Sequence, residues 1–313
     1  MEPIGPADVA ASAARIRGHV RHTPVLSLSG DELGLDPDVR VHLKLDLLQP
    51  TGSFKVRGAV SAVATTDPAA TVLAASGGNF GAAVAHAAAR LDRRAVIVVP
   101  ATSPAAKIDP IRASGAQVVV VEGVYADAFA EVQRRLAADP DAVLLHAYDQ
   151  PAVVAGQGTA ARELVAATPV DAIVVACGGG GLLAGTIAAV DDDVRVVAVE
   201  TVDTPTLHAA LEAGEPVDVE VGGLAVSALG APRIGAHAWA VRERIADSVL
   251  VSDAEVAAAQ RLLWARTRLI TEPGGATALA ALLSGRYRPE PGMDVGVLVC
   301  GANTDPAAVS ASV

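Results

Sequence analysis

Lys55 is the residue in this chain whose type most asks for a chemical explanation. It follows an aromatic, Phe54, at a strand-to-helix turn within Gln49-Pro50-Thr51-Gly52-Ser53-Phe54-Lys55-Val56-Arg57-Gly58-Ala59. Of the 24 Lys+Arg residues only Lys44, Lys55 and Lys107 are lysines, so arginine supplies nearly all of the positive charge. Arginine stays protonated, whereas a lysine amine desolvated beside an aromatic has a lowered pKa and can act as a nucleophile or form an imine.

A second constellation is Cys177-Gly178-Gly179-Gly180-Gly181-Leu182-Leu183-Ala184-Gly185, placed between a strand-like run and a helix. Such a turn leaves backbone N–H groups free at the positive end of a helix, which suits a phosphate. Two other readings stay open. The glycines also serve close packing of helix on sheet, and Gly179-x-Gly181-x-x-Ala184 with Glu200 about twenty residues on satisfies the relaxed dinucleotide fingerprint of an oxidoreductase. Against the dinucleotide stand the position of the loop past mid-chain and two features it leaves unexplained, Lys55 and the loop Ser76-Gly77-Gly78-Asn79-Phe80-Gly81. That loop also opens a helix. Ser76 and the amides that follow could hold a carboxylate there, or Ser76 could simply cap the helix. Cys300 ends a strand-like run, where open α/β sheets place ligands; buried packing is its plainer explanation. The seven histidines show no metal-binding spacing and Gly-x-Ser-x-Gly is absent, which speaks against a zinc or serine hydrolase.

These groups need a frame to position them. Val72-Leu73-Ala74-Ala75, Ala95-Val96-Ile97-Val98-Val99, Gln117-Val118-Val119-Val120-Val121 and Val143-Leu144-Leu145-His146 are β-branched runs separated by alanine-rich helical stretches. The pattern resumes at 172–175, 194–199, 248–251 and 295–299. Alternation of this kind predicts an α/β fold of two lobes, each a mostly parallel twisted sheet covered by helices. Polar or proline-containing joints at 65–69 and 148–151 divide the chain into a large domain, 1–66 with 148–313, and a small inserted domain, 67–147. Residues 172–190 carry no charge, but four glycines split them into strand, loop and helix rather than a membrane span.

With 313 residues, 51% of them hydrophobic, the chain can bury a large core. A net charge of −11 excludes the basic footprint that nucleic acid or an anionic membrane demands, leaving a small molecule as the expected partner. Two cysteines and a start without a signal-peptide pattern point to a reducing cytoplasm.

Taken together, the loops resemble the pyridoxal-phosphate enzymes of fold type II (the tryptophan synthase β group), specifically the serine/threonine dehydratase branch. The likeness covers nearly the whole chain: 49–59 resembles the lysine motif, 76–81 the asparagine loop, Gly156-Gln157-Gly158-Thr159 a mid-chain signature, 178–181 the phosphate loop and Glu272-Pro273-Gly274-Gly275-Ala276 a late signature. It implies that Lys55 carries pyridoxal 5'-phosphate as an imine, with Phe54 beside the ring. By the same resemblance Asn79 bonds the phenolic oxygen, Gly178, Gly179, Gly180 and Gly181 hold the phosphate, and Cys300 faces the pyridine nitrogen as a neutral partner that favours elimination. The implied reaction is α,β-elimination of L-serine or L-threonine to a 2-oxo acid and ammonia, with Lys55 as base and Ser76, Gly77, Phe80 and Gly223 around the substrate. A β-replacement enzyme of the cysteine or threonine synthase type uses the same parts and stands as the alternative.

The chain departs from the branch at informative places. Phe80 replaces the histidine of threonine dehydratases and racemases, and Gly77 stands where racemases place a serine hydroxyl, so racemization is not expected. Gly222-Gly223-Leu224-Ala225-Val226 lacks the usual aspartate, leaving the preferred side chain open. Glu200, Thr204 and Thr206 fall on the family's cation site, where one carboxylate with hydroxyls implies a monovalent ion, K+, rather than Mg2+. A homodimer is the family's habit. The chain ends soon after Cys300, so the regulatory domain of biosynthetic threonine dehydratases is not expected.

Overall fold

The computed structural model describes residues 3–103 and 105–310. Its strands are β1 (Val25–Ser29), β2 (Arg40–Lys44), β3 (Thr71–Ala75), β4 (Arg94–Pro100), β5 (Gln117–Val121), β6 (Val143–Leu144), β7 (Ala172–Ala176), β8 (Arg195–Thr201), β9 (Ile245–Val251) and β10 (Asp294–Leu298). Six of them form one sheet in the order β1-β2-β10-β7-β8-β9, and four form another in the order β5-β4-β3-β6. Only β1 runs antiparallel to its neighbour; every other pairing is parallel. Parallel pairs need crossovers, and helices on both faces bury the strands, which is why Val196, Val197, Ala198 and Val199 are all at most 1% exposed. The uncharged run 172–190 resolves into β7, the glycine turn and the helix Gly181–Ala189. Among the described residues no helix is long and apolar enough to cross a membrane.

The helix Lys55–Val63 lies between the two sheets' domains of packing. It contributes Val56, Ala59, Val60 and Val63 to the apolar cluster that holds Phe80, Val84, Ile97 and Ile111 of the four-stranded lobe. On its other side it meets the helix Pro151–Ala167 so closely that a Cβ on Gly156 would stand 2.6 Å from the Cα of Gly58. The mid-chain Gly156-Gln157-Gly158 pattern is therefore a packing requirement, because only glycine lets the two helix backbones approach this far. Loops from the C-terminal ends of β3, β7 and β10 then converge beside the first turn of the lysine helix, the place where open parallel sheets leave a crevice.

Candidate active site

The crevice is lined by Phe54, Lys55, Asn79, Tyr148, Gly178, Gly179, Gly180, Gly181, Glu272 and Cys300, with Ala228, Leu229 and Gly274 closing it. Its empty volume, open mouth included, is about 460 Å³. All the residues the sequence nominates for a cofactor thus share one cleft, although they come from four stretches of chain and from both lobes.

Backbone bonds fix the lysine against the cysteine. The Phe54 N–H donates to the Cys300 carbonyl at 2.9 Å, and Ser53 pairs with Gly301 in an antiparallel bridge. Lys55 Nζ donates to the Ala147 carbonyl at 3.0 Å and lies 5.0 Å from the centre of the Phe54 ring. Burial lowers its pKa from 10.5 to about 8, against the opposing pull of Cys300 and Glu272. The Cys300 thiol, 4% exposed, donates weakly to the Gly274 carbonyl at 3.5 Å, and burial pushes it well above the ordinary thiol range. It is therefore a neutral group at any physiological pH. Glu272 is the N-cap of the helix Pro273–Leu283; burial pushes it up to about 7, while the Asn79 amide, Lys107 and Lys55 pull it down.

Opposite the lysine, the glycine turn leads into the helix Gly181–Ala189. Among the described residues none accepts a hydrogen bond from the amides of Gly178, Gly179, Gly180, Gly181 or Leu182. Five convergent donors at a helix N-terminus form a ready anion site. The glycines also have a packing cause: Gly180 takes a φ of +83°, and the Tyr148 ring fills the space a side chain at 179 would need. Both readings of the turn therefore hold at once.

The proposed substrate-facing residues divide. Ser76 Oγ accepts from the Gly78 amide at 3.3 Å, so it caps its own turn, and among the described residues the amides of Gly77, Asn79 and Phe80 have no acceptor. The space beyond Gly77 is taken by the Ser103 hydroxyl. Phe80 is not at the cleft. It follows Asn79 by one helical position, about 100° around the axis, which turns its ring into the core of the four-stranded lobe at 3% exposure. Gly223 also lies outside the cleft, with a φ of +72° between Asp203 and Asp253; the chain runs on into the short helix Val226–Leu229, whose Ala228 and Leu229 do line it.

The expected cation set is together in space, but its oxygens are committed. Both carboxylate oxygens of Glu200 accept helix N-terminal amides, from Leu207 at 2.7 Å and His208 at 2.8 Å. Thr206 Oγ1 donates to the Ala231 carbonyl at 2.8 Å, and Thr204 Oγ1 pairs with Thr201 Oγ1 at 2.9 Å. Glu200 is thus a buried helix cap, each of its carboxylate oxygens accepting one amide. Sequence reasoning gave no role to Tyr148, Glu272 or Asn303; for Glu272 the signal was its place in a recognised motif, whereas Asn303 carried none beyond following Cys300.

Comparison with known proteins agrees with this geometry. The family model described as pyridoxal-phosphate dependent enzyme matches residues 16–301. The L-threo-3-hydroxyaspartate ammonia-lyase of a Pseudomonas species is 36% identical over 308 residues, covering 95% of each chain. The phenylserine dehydratase of Ralstonia pickettii is 37% identical, covering 96% of this chain and 93% of its own. Among solved structures, serine racemase from Dictyostelium discoideum superposes with a TM-score of 0.89 at 29% identity, covering 96% of this chain and 99% of its own.

Proposed function

Because this chain belongs to the pyridoxal-phosphate dependent enzymes, in their dehydratase and ammonia-lyase group, we propose that it removes water and ammonia from a β-hydroxy L-amino acid, L-serine or L-threonine in the first instance, to give a 2-oxo acid. One observation carries this reading: a buried amine, a neutral thiol and a row of unpaired amides face the same cleft. They fit the cofactor in kind, since its phosphate needs unpaired donors and its aldehyde needs an amine that gives up its proton readily. When bound, pyridoxal phosphate supplies an aldehyde carbon that takes up an amine and a ring that withdraws electrons from the Cα–H bond.

The amides of residues 178–182 hold the phosphate. Asn79 would donate to the phenolic oxygen, Phe54 would pack beside the ring, and Cys300 would set an uncharged thiol against the ring nitrogen. An uncharged partner keeps that nitrogen from gaining a full positive charge, which favours elimination over long-lived carbanion chemistry. Ser76 with the amides of Gly77, Asn79 and Phe80 binds the substrate carboxylate and turns the Cα–H bond towards Lys55. Lys55 Nζ, uncharged, accepts the α-proton.

The test is an assay of the cofactor-loaded protein on L-serine, L-threonine, 3-hydroxyaspartate and 3-phenylserine, reading 2-oxo acid and ammonia in equal amounts from at least one of them. Absence of both products with all four, at full cofactor occupancy, overturns the reading.

The amine's pKa gives a separate expectation. Capture of an aldehyde requires the neutral amine, so the rate at which cofactor-free protein takes up pyridoxal phosphate should rise with pH, about tenfold per unit, and level off above about 8. A lysine at its ordinary 10.5 keeps accelerating two units further, and stopped-flow absorbance distinguishes the two.

A further inference from the structure

Asn79 is held by more than a single contact to a ligand requires. Its Nδ2 donates to Glu272 Oε1 at 2.6 Å, and its Oδ1 accepts from Asn303 Nδ2 at 2.8 Å. Asn303 Nδ2 also donates to the Thr51 carbonyl at 2.9 Å. A backbone carbonyl can only accept, so the end of Asn303 that faces Thr51 must be its NH2 group. The same NH2 group faces Asn79, which forces the Asn79 oxygen to that side and its nitrogen to the side of Glu272. One fixed carbonyl therefore sets the orientation of two amides in series, and Glu272, 3% exposed, completes the line with an acceptor. The Asn79 nitrogen carries two hydrogens and Glu272 uses one. The other remains for the cleft.

We propose that Asn303 and Glu272 are positioning residues: from the six-stranded lobe they lock the amide of Asn79, on the other lobe, in the one orientation that presents an N–H to the bound cofactor, and so select for an oxygen acceptor at that point of the ring. The proposal rests on the functional reading above only in taking pyridoxal phosphate as the ligand. A freely rotating amide would offer donor or acceptor equally and would lose part of its binding energy in being ordered. A locked one discriminates, because a ring without the oxygen leaves a buried donor unpaired.

The experiment measures binding of pyridoxal phosphate, and of the same molecule lacking its phenolic hydroxyl, to cofactor-free protein by the change in absorbance. In the parent protein the hydroxyl should improve affinity about tenfold, one hydrogen bond's worth. Asn303→Ala and Glu272→Ala should erase that ratio while leaving affinity for the deoxy compound within about threefold. Glu272→Gln, whose side-chain carbonyl still accepts from Asn79, should restore it. A merely structural role weakens both ligands equally and keeps the ratio, and that result overturns the proposal, as does an unchanged ratio in Asn303→Ala. A parent protein that binds neither ligand instead overturns the functional reading and is thereby told apart.

Discussion

Lys55→Ala should fold, melt at nearly the parent temperature and turn over substrate about 10³-fold more slowly or worse, because under the proposed function the same side chain is both the cofactor's attachment point and the base at Cα. The loaded parent should show a visible absorbance band that borohydride removes with label trapped at position 55; the variant should show neither. Lys55→Arg is the sharper control. It keeps the positive charge next to Phe54 and Ala147, yet arginine cannot deprotonate, so it should be as inactive as alanine. Undiminished turnover in either variant would sink the assignment of the cleft.

The largest loss of stability should come two residues further on. Arg57 is fully buried, and its guanidinium makes a fork to Asp46 at 2.7 Å through Nε and Nη2, then reaches Glu163 at 2.7 and 2.8 Å. Lys44, also fully buried, meets Glu163 at 2.6 Å, and Thr23 donates to Asp46 at 2.7 Å. Two cations and two carboxylates balance. Arg57→Met removes one cation and strands Asp46 without its main partner, at an expected cost of about 3–5 kcal/mol in the urea-unfolding free energy. Burial alone pushes both carboxylates up, but Arg57 and its neighbours more than offset this and hold Asp46 and Glu163 below their ordinary values of 3.8 and 4.5. A depressed carboxylate adds stability above its unfolded pKa and loses it on acidification, so the parent's extra stability should shrink as pH falls below about 4, and the variant's curve should be flatter there. A parallel pair of curves would show that the network is not what couples stability to acid.

How much of this was readable beforehand follows from the range of the interactions. Lys55, Cys300 and the four-glycine turn announce themselves because each is a rare residue type in a local context, and local context is what a sequence displays. Most strands were legible as β-branched runs; β1 and β2 were not. The residues of β2 include His42 and Lys44, which look like surface but are buried against partners elsewhere, His42 between Ser27 and Asp294 and Lys44 against Glu163. Asn303 and Asn79 meet across 224 residues of sequence, and nothing near either foretells the other. Phe80 was misplaced for the opposite reason: adjacency in a motif suggested shared duty, while the helical turn separates neighbours onto different faces. Glu200 has the spacing of two ligand sites, and what the sequence does not display is that its oxygens also cap the start of a helix.

The chain enters the four-stranded lobe at the start of β3 and leaves it after β6, and since these strands are parallel neighbours, entry and exit lie at opposite ends of the sheet. The exit is the end that faces the lysine. Its first residues are the ones already met there: Ala147 supplies the carbonyl that steadies Nζ, and Tyr148 lies over Gly179. The connection out of that lobe and the lining of the cleft are thus partly the same peptide. Any displacement of residues 147–148 would therefore shift the partner of the amine and the ring packed on the glycine turn together.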